Sequence, residues 1–291
     1  MDENTAIVRA RDFLKRHGVT DIPIDVMTLA AAEGFQVLHK DLPDGESGST
    51  VERRGQRYIW INANEPTQRQ RFTVLHEIAH HVLKLPSVHG QAPSADDAQL
   101  LSSRRRPVEE VACDAFASEC LVPYSVLKPC IDDRAFTVTA VQDLSVRFDA
   151  SQHCVASQWI KASEDALAFV VANDRRIQVA FPSRTAKEAG LRIANGRMLP
   201  TGSAADQLVR ASATDGPSSE LDASEWSLAD AAAHYMAYEE ATNYVPKQRT
   251  YSFVTFEAVG NAPRVAVHAA RDDDDDLLAP LTGELSWKPK R

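Results

Sequence analysis

The chain has 291 residues, 44% hydrophobic and 25% charged, proportions of a folded globular protein that exclude fibrous architectures and wholesale disorder. Its 32 basic and 41 acidic residues leave a net charge of −9, which argues against a protein whose main task is to coat a phosphate backbone. No apolar run approaches the roughly 18 residues of a membrane helix, the first residues lack a secretory signal's apolar stretch, and the four cysteines form no CxxC pair, so a cytoplasmic chain without a disulfide framework is expected.

In chain order, residues 5–16 have helical spacing, with Ile7, Ala10, Phe13 and Leu14 on one side. A second helix fits residues 24–34, capped by Asp25 and ended by Gly34. Three strand-like pieces follow, the last running from Tyr58 to Asn62 and closed by polar residues before Pro66. Residues 67–85 are strongly helical through Phe72, Leu75, Ile78, Ala79 and Val82, stopping before Pro86. A polar loop covers 86–107 and carries Arg104–Arg106. A helix then runs from about Val108 to Val122, stopped by Pro123.

Two short helices fit 138–148 and 151–162, joined at Asp149–Ala150 with Ser151 as cap. The second offers only Lys161 as a fixed positive charge, which favours a packing module over an operator reader. From 165 the character changes: residues 166–182 read as two strands around a turn at Asn173–Asp174. A stretch near 198–225 reads as a loop or insertion, 227–242 as a helix, and 249–271 as a hairpin around Gly260–Pro263. Asp272–Asp276 read as a solvated acidic run rather than a cation site. The main boundaries fall near 130 and 165.

The chemistry concentrates in His76–Glu77–Ile78–Ala79–His80, an HExxH on the most periodic helix. Residues four apart share a helical face, so both imidazoles reach one metal ion. Glu77 projects beside them, where a carboxylate takes a proton from water at that ion. A catalytic zinc needs a third protein ligand. Glu109, Glu110 and, more weakly, His89 are candidates, and spacing does not choose among them. His81 points about 100° away from His80 on the helix and is read as a non-ligand.

The strand Tyr58–Asn62, the HExxH helix, and the following helix with Glu110, Asp114, Phe116, Ala117 and Pro123 resemble the ImmA/IrrE metallopeptidases over roughly residues 55–125. That resemblance implies an α+β protein: a mainly helical, zincin-like metallopeptidase domain with a small sheet (1–130), a helix-turn-helix-like segment (131–164) and a C-terminal GAF-like regulatory domain (165–291). It implies a gluzincin-like zinc (Zn2+) endopeptidase with His76, His80 and Glu110 as ligands and Glu77 as catalytic base. The implied substrate is a helix-turn-helix transcriptional repressor whose cleavage derepresses a stress or defence operon, with single-stranded DNA as a candidate activator and no membrane partner.

One position departs from the pattern: Cys113 stands where the family usually has alanine. It is three residues after Glu110 and shares its face, and zinc binds thiolate avidly. Cys113 can therefore take the fourth zinc position, displace the water and hold the enzyme latent, and the alternative is a small buried residue in place of alanine. Tyr58–Asn62 is expected to act as an edge strand receiving an extended peptide, against the alternative of a simple sheet strand. A rival overall reading is a DNA-binding transcriptional regulator with a structural zinc.

Overall fold

The computed structural model describes residues 1–43, 45–86, 107–211, 218–244 and 249–260. Arg104–Arg106, His89, Asp272–Asp276 and the Gly260–Pro263 turn with its return strand fall wholly or mostly outside the described residues. The fold is mixed, with a helical N-terminal part around a three-stranded sheet and a five-stranded sheet in the C-terminal part.

Helix α1 (Glu3–Arg16) starts at Asp2, whose carboxylate accepts from the Thr5 amide, and buries Ala6, Ala10, Phe13 and Leu14. Helix α2 (Val26–Ala32) starts at Asp25, which accepts from the Met27 and Thr28 amides. Each cap satisfies amides that have no partner within the helix. Three strands follow: β1 (Phe35–Lys40), β2 (Gly48–Arg53) and β3 (Gln56–Asn62). Their order is β1-β3-β2, with β1 parallel and β2 antiparallel to β3. The strand expected at an edge is thus the central one, and β2 is the antiparallel edge. The correction has a simple cause: Ile59 and Ile61 are fully buried against α3 (Thr67–Leu83), and a strand with that load takes the middle position.

Helix α4 (Val108–Leu121) packs against both α1 and α3, bringing Phe116 to within 5.3 Å of the Phe13 ring. Helix α5 (Tyr124–Ile131), absent from the sequence reading, follows Pro123. Helices α6 (Val138–Phe148) and α7 (Gln152–Ala162) are joined at Asp149, whose φ of 46° is left-handed, with Ser151 capping α7 through the Cys154 amide. Helix α7 is enclosed: Cys154, Val155, Ala156, Gln158, Trp159, Ile160 and Ala162 are buried, and Lys161 pairs with Glu3 at 3.3 Å. Its His153 ring packs against Phe169 and Phe181.

The second sheet has the order β5-β4-β8-β7-β6 and is antiparallel throughout. Its strands are β4 (Leu167–Asn173), β5 (Arg176–Pro182), β6 (Ser219–Asp222), β7 (Tyr235–Tyr244) and β8 (Arg249–Ala258). Leu167 to Ala172 are all buried because β4 is covered on both faces. Leu167, Phe169 and Val171 join the core of the helical part, while Ala168, Val170 and Ala172 join a second core with Leu199, Leu208 and Trp226. The period of two along a strand makes that division.

The helix expected at 227–242 is not formed: Asp230–His234 make a short 3-10 turn and Tyr235–Tyr244 are strand β7. Alanines and glutamates at this position suit a helix, but pairing with β6 and β8 wins. Glu239 shows why. Its buried carboxylate accepts from the Ala204 amide at 2.6 Å and the Ala205 amide at 3.2 Å, capping helix α8 (Ala204–Ala211) within the stretch read as loop or insertion.

Candidate metal centre

Helix α3 begins after Pro66 and ends at Lys84 in the left-handed conformation, with φ of 55°. Its inner face carries Thr73, His76, Glu77 and His80, each no more than 7% exposed. Four polar residues in succession along a buried face are costly unless each finds a partner. The Thr73 hydroxyl donates to the Arg69 carbonyl within α3, and the partners of the other three come largely from α4 and β2.

Glu110 and Asp114 lie four apart on α4, one turn of a single face, and reach His76 from its two sides. Glu110 Oε2 is 3.1 Å from His76 Nε2, and Asp114 Oδ1 is 2.9 Å from His76 Nδ1. His80 Nε2 lies 3.1 Å from His76 Nε2 and 3.4 Å from Glu110 Oε1. His76, His80 and Glu110 thus offer donor atoms all within 4.8 Å of one another. A tetrahedral ion with bonds of about 2.0–2.1 Å holds its ligand atoms roughly 3.4 Å apart, close to these separations. Two imidazoles and a carboxylate are a donor set for a borderline divalent metal.

Asp114 has a distinct part in this arrangement. Bonded to Nδ1, it fixes the His76 tautomer and leaves Nε2 facing the group. Burial pulls the His76 pKa down, but the hydrogen bonds its ring donates to the Asp114 and Glu110 carboxylates, with the negative charges of Asp114 and Glu77, outweigh it and raise it to about 9. Asp114→Ala is expected to weaken metal affinity about ten- to a hundredfold, read by competition with a chromophoric chelator. An affinity equal to wild type would remove Asp114 from this part.

Glu77 is 1% exposed, and its Oε2 accepts from the Thr50 hydroxyl on β2 at 2.7 Å. The two candidates on α4 are now separated: Glu110 is buried in the group and Glu109 is half-buried outside it. His81 turns away, with its Nδ1 2.9 Å from an Arg57 nitrogen and its ring edge-on to Phe35. Cys113 is fully buried in the hydrophobic core and is not among the grouped donors. Thr50 escaped the sequence reading. Its signal lay in the alternation of β2, which puts Gly48 and Thr50 on the face shared with Ile61 and Ile59.

Residues 30–157 match the M78 peptidase family model described as an IrrE N-terminal-like domain. No curated protein matches the chain. Among solved structures it is similar to a Mycobacterium tuberculosis transcriptional regulator, with a TM-score of 0.55, 12% identity and 91% of each chain covered. At that identity the likeness is one of fold.

Proposed function

We propose, since residues 30–157 form an IrrE N-terminal-like domain of the M78 peptidase family, that the protein is a zinc-dependent endopeptidase making a limited cut in a helix-turn-helix transcriptional repressor. The observation that carries this reading is a buried carboxylate, Glu77, beside a three-donor group of two histidines and Glu110. These three donors would hold a zinc ion, and three protein ligands are the usual complement of a hydrolytic zinc site.

When bound, the ion supplies Lewis acidity toward a peptide carbonyl and water. The chain's own residues do the rest. His76, His80 and Glu110 hold the ion, and Asp114 keeps His76 in register. Glu77 takes the proton from the attacking water and returns it to the leaving amine. The substrate segment lies extended along β2, the six-residue strand Gly48–Arg53, whose outer edge has no sheet partner among the described residues. Pairing to a strand edge selects an unfolded or loop segment, and so a limited cut.

The peptidase part (1–130), the helix pair (131–164) and a GAF-like regulatory part (165–291) divide the work in this reading, with cleavage in the cytoplasm relieving repression of a stress or defence operon. The zinc is catalytic here and not structural. The test is incubation of the zinc-loaded chain with the helix-turn-helix repressor encoded beside its gene, with and without single-stranded DNA and with and without a chelator. One discrete, chelator-sensitive cut supports the reading, and dependence on DNA identifies the signal. An intact repressor in every arm, with zinc bound, would defeat it.

A further inference from the structure

Strand β2 and helix α3 run side by side in matched steps. Two strand residues rise about 6.7 Å and four helical residues about 6 Å. Gly48 therefore faces Thr73, and Thr50 faces Glu77 one turn later. Gly48 makes the approach possible: a Cβ there would lie 2.5 Å from Thr73 Cγ2 and 2.6 Å from the Trp60 carbonyl oxygen. Gly48→Ala must push the strand outward and is expected to lower the urea midpoint of unfolding. An unchanged midpoint would show that the strand has room to move.

This close passage brings an exposed strand residue into contact with a carboxylate that is 1% exposed. We propose that Thr50 is the positioning residue for Glu77, fixing the carboxylate's orientation and setting the register between the edge strand and the base. A carboxylate only accepts, so the hydroxyl proton of Thr50 must point to Glu77 Oε2. The bond restricts rotation of the carboxylate, and proton transfer is sensitive to that geometry. Gly48 and Thr50 act as one device, the first allowing the approach and the second using it. Because Thr50 stands on the strand proposed to receive substrate, the scissile bond and the base are referred to the same six residues. This inference rests on the peptidase reading above.

The experiment compares the zinc-loaded full chain with Thr50→Val, which keeps the shape and loses the donor, and with Thr50→Ser, which keeps the donor. On the repressor, Thr50→Val is expected to lower kcat about ten- to a hundredfold with KM within about twofold. Thr50→Ser should recover to within about threefold of wild type. All three proteins should hold one zinc per chain and melt together. A peptide hydroxamate, whose hydroxyl proton needs an oriented acceptor, should bind wild type and Thr50→Ser alike and Thr50→Val more weakly. Wild-type kcat in Thr50→Val, equal loss in both variants, or equal hydroxamate binding by all three would overturn the proposal. If wild type cuts nothing, the peptidase reading fails, while the hydroxamate arm still reads the contact between Thr50 and Glu77.

Discussion

Replacing Glu77 by glutamine is expected to lower kcat for repressor cleavage by about a hundred- to ten-thousandfold while the protein keeps its metal and its fold. The carboxamide has nearly the same shape, and its oxygen still accepts from Thr50, so the buried site beside α3 is preserved. What is lost is the carboxylate that, in the proposed mechanism, takes a proton from water and returns it to the departing amine. Glutamine does neither at neutral pH. The measurement is a single-turnover cleavage rate with zinc content determined on the same sample. A rate within tenfold of wild type would remove Glu77 from proton transfer and turn attention to a structural metal.

The second large effect is on stability. His76, His80 and Glu110 are buried, and an ion that binds them in the folded state alone shifts the folding equilibrium by mass action. At free metal a thousandfold above its dissociation constant the gain is about 4 kcal/mol. Chelation should then lower the melting midpoint on the order of 10 °C. Glu110→Ala is expected to abolish that metal-dependent shift, whereas Glu109→Ala leaves it intact, because only Glu110 faces the two histidines. Calorimetry with and without chelator checks both. Equal shifts in the two variants would mean that neither glutamate holds the ion.

In the proposed reading, the change of edge strand alters where a substrate segment meets Glu77. With β2 at one edge, the strand proposed to receive a peptide is the one that touches Glu77 through Thr50. Sequence alternation alone cannot distinguish these arrangements, because β2 and β3 both read as short strands of suitable length.

What the sequence determined by itself is local. The helix of His76–Glu77–His80, its four-residue spacing and its stop before Pro86 follow from periodicity within a single element. So do the caps Asp25 and Ser151 and the hairpin of β4 and β5, since each depends on residues a few positions apart. What only the tertiary structure decided depends on segments far apart in the chain. Glu110 and not Glu109 reaches the histidines because α4 packs on α3 in one rotation. β7 is a strand and not a helix because Glu239 caps a helix 35 residues away and β8 completes the ladder. Thr50 meets Glu77 because a glycine lets a strand lie against a helix. None of these contacts leaves a periodic trace in sequence, since each is made between elements whose mutual placement is set by the whole core.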